Sequence, residues 1–271
     1  MNLHEKRNRI RLEEERLFFN HRSELKIMQK AIGTIRRGMN CFARGFVEQK
    51  LEHAIPFIIY LVAYMLWFKL LEDIPRARYH DLASFIDRMI PFVEVFIIPY
   101  LSWFLLQAAW VTFLFFYDRK AYDKLVTMLM FGMTVFLIVS TIYPTALTLR
   151  TWHIARENVF VDAVRWLWRI DTSTNVWPSI HVYNTTALIF TLFTTSGREL
   201  IRKVRVPMFI WCVLIILSTM FLKQHSVGDV LSGLGLAGVG YSLVYMKGFV
   251  VNFTSFDRTV EQVIDTRFLR E

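Results

Sequence analysis

Two short polar stretches stand at the heads of apolar runs: Asn175-Val176-Trp177-Pro178-Ser179-Ile180-His181 and Lys223-Gln224-His225-Ser226-Val227-Gly228-Asp229. In the second, His225 and Asp229 are spaced i, i+4. On a helix the carboxylate therefore reaches one imidazole nitrogen and leaves the other free with its lone pair outward, which makes a nucleophile. In the first, Pro178 suits an opening helical turn, whose amides and positive dipole end favour an anion. Ser179 adds a hydroxyl donor, and His181 follows in the same turn. Arg150 and Lys223 supply fixed cations for the oxygens of a phosphate. Ionisable residues at a membrane helix centre cost roughly 2.5–3.5 kcal/mol each on insertion scales, so such residues at membrane edges usually carry function. The two stretches read as one site.

The elements that must position them are membrane helices. Of the 271 residues, 54% are hydrophobic and 15% aromatic, too apolar a balance for a soluble domain of this length. The expected fold class is all-α: a polytopic membrane protein, a six-helix transmembrane bundle with an N-terminal amphipathic helix. A crossing takes about 20 apolar residues, and the stretches that qualify or nearly do are 54–71, 90–117, 125–149, 179–196, 206–222 and 226–246. Pro91, Glu94 and Pro99 predict a kink in the second span and a protein-covered outer end. Gly228 with Ser232 and Gly233 with Ala237 place small residues at i, i+4 on the sixth, where another helix can come close. The loop 150–178, with Trp152, Trp166, Trp168 and Trp177, predicts a short helix lying at the membrane surface.

Before the first span, Leu25, Met28, Ile32, Ile35, Met39, Phe42 and Phe46 recur at helical spacing, with Lys26, Lys30, Arg37 and Arg44 on other faces. That pattern fits a helix on the inner leaflet, and a short heptad seam fits it as well. Mixed charges and no early apolar core argue against a cleavable signal peptide. The net charge of +9 sits beside apolar runs, as expected for flanks facing anionic headgroups; nucleic acid is not an expected partner. Arg119, Lys120 and Lys124 follow span two, and Arg198, Arg202, Lys203 and Arg205 follow span four. With Lys247 they put both termini in the cytoplasm and both polar stretches on the extracytoplasmic face. Cys41 and Cys212 show no disulfide or zinc pattern, and no Asp/Glu cluster has metal-ligand spacing, so neither metal nor cofactor is expected. The implied divisions are 1–53, a cytoplasmic basic and amphipathic segment; 54–248, the six-helix membrane domain; and 249–271, a cytoplasmic tail.

Over spans three to six the sequence resembles the type 2 phosphatidic acid phosphatase superfamily, whose motifs read K-x6-R-P, P-S-G-H and S-R-x5-H-x3-D. Pro178-Ser179-Ile180-His181 matches the second with Ile for Gly. Ser218, His225 and Asp229 keep the spacing of the third, with Thr219 for Arg. In the first, Arg150 keeps the arginine, while Tyr143 and Thr151 replace the lysine and proline. The pattern resembles more the branch that includes bacterial P-S-L-H proteins and the inositol phosphorylceramide synthases. The resemblance implies a metal-independent phosphatase of a bacterial plasma membrane. Its substrate would be a lipid phosphomonoester or polyprenyl pyrophosphate. His225 would be nucleophile, Asp229 its orienting carboxylate and His181 the general acid, with Arg150, Lys223 and Ser179 on the phosphate. Two alternatives stand beside it: transfer of a phospho-group to a lipid alcohol, and a non-catalytic lipid-binding protein that keeps the fold. Homo-oligomerisation is left open.

Overall fold

A computed structural model describes residues 54–251 apart from 75, 152 and 196–198. The predicted N-terminal amphipathic helix, Cys41, Trp152, Arg198 and nearly all of the C-terminal tail lie outside the described residues. The chain runs α1 (Ile55–Asp73), β1 (His80–Asp81), α2 (Phe85–Met89), a 3₁₀ turn (Glu94–Phe96), α3 (Ile97–Tyr117), α4 (Arg119–Ile142) and β2 (Thr145–Ala146). It continues through α5 (Val159–Ile170), α6 (Ile180–Thr194), α7 (Glu199–Phe221) and α8 (Val227–Tyr241), which passes into a π turn (Ser242–Met246).

Among the described residues five helical segments are long and apolar enough to cross a membrane: Ile55–Asp73, Glu94–Tyr117, Arg119–Ile142, Glu199–Phe221 and Val227–Met246. The protein is a helical membrane protein, and its spans differ from expectation in three places. The fourth expected span is α6, whose 15 residues reach only about 22 Å, short of a hydrocarbon core of about 30 Å. It is wrapped by α4, α7 and α8 instead of lipid, and Val182 to Leu188 are all buried. Hydropathy cannot distinguish an apolar helix that faces lipid from one that faces other helices. The third span starts earlier than expected and stops at Tyr143, because Pro144 turns the chain into the extended segment that carries β2. In the second, Pro99 lies in the first turn of α3, where proline needs no kink. Glu94 is covered there as predicted, since Asn158 Nδ2 donates to it at 3.1 Å and Arg156 pairs with it at 3.0 Å.

The buried helix α6 satisfies its threonine hydroxyls locally. Thr185, Thr186, Thr191 and Thr194 return their hydroxyls to the carbonyls of His181, Val182, Leu188 and Phe190 at 2.7–2.8 Å. Two glycines let its neighbours approach. The Tyr183 ring lies over Gly132 of α4, where any Cβ would meet it at 2.0 Å, and its hydroxyl donates to Met128 O at 2.7 Å. A Cβ on Gly233 of α8 would stand 2.8 Å from the Ser179 carbonyl and 3.2 Å from Val182 Cβ. The expected small-residue seam is therefore the contact between α8 and the head of α6.

Loops gather at one end of the bundle, where α1 and α4 finish and α3, α6 and α8 begin. There β1 pairs parallel with β2, and Ala146 bridges antiparallel to Thr174. The predicted surface helix is α5. It is capped by Asn158 and packs through Val161, Val164, Leu167 and Trp168, with Trp168 Nε1 donating to Leu222 O at 3.1 Å.

Gly233→Val forces a branched side chain against backbone that cannot give way. Overpacking of this kind costs about 1–3 kcal/mol. The variant is expected to melt lower in detergent, because the heads of α6 and α8 are wedged apart; an unchanged melting curve would show that the seam is looser than described.

Candidate active site

The turn from α7 to α8 sets His225. Lys223 takes a left-handed conformation (φ 56°), and the N–H groups of Gln224 and His225 both return to the Thr219 carbonyl, at 2.9 and 3.0 Å. These bonds close α7 as a left-handed residue after a helix end commonly does. Ser226 then caps α8 in a reciprocal box: its hydroxyl accepts from Asp229 N, and Asp229 Oδ2 accepts from Ser226 N at 2.7 Å. The same Oδ2 stands 3.6 Å from His225 Nδ1, just outside hydrogen-bond reach, and Oδ1 has no partner. Asp229 is fully buried and His225 is 7% exposed.

The Ser179 N–H donates to the Asp229 carbonyl at 3.3 Å, tying the head of α6 to α8. Ser179 is fully buried and caps α6 by accepting from Val182 N. His181 then points Nδ1 at His225 Nε2, 3.4 Å away, while its own Nε2 is buried without a partner. Tyr100, Trp103 and Phe104 of α3 surround the His181 ring at centroid distances of 5.0, 4.4 and 6.3 Å. The geometry thus brings His181, His225, Asp229 and Ser179 together.

Arg150 borders this cluster through Gln224, the residue before His225. Its Nη2 donates to Gln224 Oε1 and to Thr172 O at 2.9 Å, and its Nη1 to Asp171 O at 2.6 Å and Trp168 O at 3.4 Å. Arg150 Nε and Gln224 Nε2 are both buried without partners, two uncommitted donors beside the histidines. Burial lowers the Arg150 guanidinium from its usual range, opposed by Asp171, Tyr100 and Glu72. Burial also raises the Asp171 carboxyl, against the Tyr100 hydroxyl that donates to it at 2.9 Å and the nearby Arg150 and His225.

Lys223 is placed differently. Its ammonium donates to the carbonyls of Ile90 and of Asp87, the latter at 2.8 Å, and burial lowers its ionisation with Asp87 opposing. Asp87 in turn accepts from Val227 N at 2.6 Å and is boxed with Ser84, so α2 is clamped onto the start of α8. Glu72, at the end of α1, accepts from Thr172, Thr174 and Asn175 and holds the approach to Pro178. Gln224, Tyr100, Trp103 and Asp171 escaped the sequence reading. For Gln224 adjacency to His225 was an available signal, whereas the others meet the site only through tertiary packing.

The PAP2 superfamily model matches residues 149–251. This segment belongs to the PAP2 superfamily. No curated protein and no solved structure matches the chain. The match opens at the residue before Arg150 and spans Ser179, His181, Lys223, His225 and Asp229, leaving out Tyr143, where the first motif's lysine is replaced. The match together with the apolar helices supports an integral membrane protein with a lipid-related function of phosphatase or phosphotransferase type.

Lys223→Met removes two hydrogen bonds from a charged donor to carbonyls, each worth about 1.5–3 kcal/mol. Lower thermal stability is expected, with inhibition by inorganic phosphate unchanged within about twofold. A large loss of phosphate inhibition at unaltered stability would return Lys223 to the phosphate.

Proposed function

We propose that the protein is a metal-independent phosphatase that hydrolyses a lipid phosphate ester through a phosphohistidine on His225. The observation that carries this reading is the chain of contacts from Asp229 Oδ2 to His225 Nδ1 (3.6 Å) and from His225 Nε2 to His181 Nδ1 (3.4 Å). With the Nδ1 proton of His225 facing Asp229, its Nε2 carries the lone pair. His181 then presents Nδ1–H toward that lone pair, and an entering phosphoryl group separates the two rings.

His225 Nε2 attacks phosphorus, and the bond from phosphorus to the lipid oxygen breaks. His181 Nδ1–H protonates the departing alkoxide while Asp229 stabilises the imidazolium. Water then attacks the phosphohistidine, giving its proton to His181 and releasing phosphate, which restores both rings. Splitting displacement into two steps is covalent catalysis, and apo contacts of 3.4–3.6 Å are of the kind that tighten when substrate enters. Charge on the transferring group falls to Arg150, Gln224 Nε2, Ser179 and the positive end of α6.

The site end is the extracytoplasmic one on this reading, because Arg119, Lys120, Lys203 and Arg205 lie at the opposite end of the bundle. Transfer to a lipid alcohol uses the same intermediate and differs only in the acceptor that reaches it.

Phosphate release by the purified chain from a lipid phosphomonoester and a polyprenyl pyrophosphate, with and without an alcohol acceptor, tests the proposal. His225→Ala should abolish turnover with folding intact. His181→Ala should lose about 10²–10⁴ on the monoester, whose alkoxide needs a proton, and less on the pyrophosphate. Near wild-type release by His225→Ala would refute the nucleophile, and equal losses for His181→Ala would remove its acid role.

A further inference from the structure

The acid step asks for something on the far side of the His181 ring. A neutral imidazole that gives up Nδ1–H becomes an imidazolate, so a general acid working through Nδ1 carries a proton on Nε2 as well, and that N–H needs an acceptor. His181 Nε2 is buried without a partner, against Tyr100 and Trp103 of α3.

From this level α3 and α6 run side by side in the same direction. Their register is set by Tyr100 and Trp103 against His181 and, deeper, by Trp110 Nε1 donating to Thr191 Oγ1 at 3.0 Å. Gln107 lies between Trp103 and Trp110 on that face of α3, and Asn184 stands one turn after His181 on that face of α6. Helical side chains lean toward the start of their helix, which brings both amides toward the level of the histidine. Both amide atoms of Gln107, Asn184 Oδ1 and Trp103 Nε1 are buried without hydrogen-bond partners, and Asn184 is 6% exposed. Native interiors leave few such groups. The roles given to His225, Asp229 and Arg150 use none of them.

These groups are complementary to one another and to a protonated ring. The donors are Gln107 Nε2 and Trp103 Nε1, and the acceptors are Gln107 Oε1 and Asn184 Oδ1. Their three N–H hydrogens face four carbonyl lone pairs, and Nε2–H of a doubly protonated His181 is the donor that completes the set. An amide oxygen suits the place, because it favours the imidazolium without setting a second negative charge near the phosphate.

We infer that Asn184 and Gln107 are positioning residues for the acid: Asn184 Oδ1 accepts from His181 Nε2–H, directly or across one water, while Gln107 Nε2 donates to the same oxygen and Trp103 Nε1 to Gln107 Oε1. The bond from Nε2 stabilises the imidazolium and aims Nδ1–H at the departing oxygen. As the bond from phosphorus to the lipid oxygen breaks, Nδ1–H passes to that oxygen, and His181 is left neutral with its proton on Nε2. The water that hydrolyses the phosphohistidine returns a proton to Nδ1. This rests on the phosphatase reading of His181 and His225.

Phosphate release by the full chain in detergent micelles from two monoesters of unlike leaving group tests the assignment: an alkyl lipid phosphate, whose alkoxide needs a proton, and 4-nitrophenyl phosphate, whose phenolate leaves without one. Asn184→Leu is expected to lower kcat on the alkyl ester about tenfold to a hundredfold, the worth of a hydrogen bond to a charged group, with KM held within about twofold. On the nitrophenyl ester its kcat should fall less than about threefold, which also reports that the variant is folded. Gln107→Leu should show the same pattern at smaller size. In a His181→Ala background neither substitution should cost anything further on the alkyl ester. Equal losses on the two esters, an unchanged kcat on the alkyl ester, or a further loss in the absence of His181 would overturn the inference and leave the His225 phosphatase reading standing. Release from neither ester by the wild-type chain would bring down both.

Discussion

The Ser179 N–H reaches the Asp229 carbonyl at 3.3 Å, and it can do so only because position 233 has no side chain. That approach puts the first turn of α6 against the first turn of α8, and the two histidines follow from it: His181 two residues after Ser179, His225 four before Asp229. Neither histidine is held by a strong bond of its own, since the contacts at 3.4 and 3.6 Å are long. Their relation is inherited from two capped helix heads and a glycine seam. Rigid backbone placing side chains within about half an ångström is what such a site requires.

The loops at this end act as a collar. Arg150 draws the carbonyls of Trp168, Asp171 and Thr172 together, Glu72 gathers Thr172, Thr174 and Asn175, and Lys223 with Asp87 fastens α2 to α8. Irregular backbone near a membrane has to be satisfied by protein, and here charged side chains do much of that work on main-chain groups. Arg150 serves both purposes: its Nη atoms hold the collar while Nε remains unpartnered beside the site. A departure from the family's first motif thereby becomes intelligible, because the arginine that persists also organises the loop.

Much of this was legible from residue order. Pro178-Ser179-Ile180-His181 and His225 with Asp229 are local patterns, but the expected helical placement differs: Pro178 precedes the cap Ser179 and His225 precedes the cap Ser226, so His225 faces Asp229 from the turn before α8 and not as a helical i, i+4 pair. Gly233 was recognisable from spacing as a close-approach residue, and the short helix α5 was expected from the tryptophans of its loop. Lys223 reads from sequence as a phosphate ligand because it stands two residues before His225, while its left-handed backbone and its bonds to Asp87 and Ile90 depend on a loop more than 130 positions away in sequence. The length of α6 was hidden for a related reason: an apolar run says that a helix is buried, not what buries it. Tyr100, Trp103 and Gln107 form a stripe visible at helical spacing, but only the register with α6 gives that stripe a meaning.

The central claim is that His225 Nε2 forms a bond to phosphorus. Rapid acid-free quenching of the purified chain during turnover of a lipid phosphate, followed by peptide mass spectrometry, measures this directly. The account predicts one phosphoryl group, labile to acid and stable to base, on the peptide that contains His225, and none in His225→Ala. A phosphoryl group on another residue, or full turnover with no covalent species at any quench time, would contradict it.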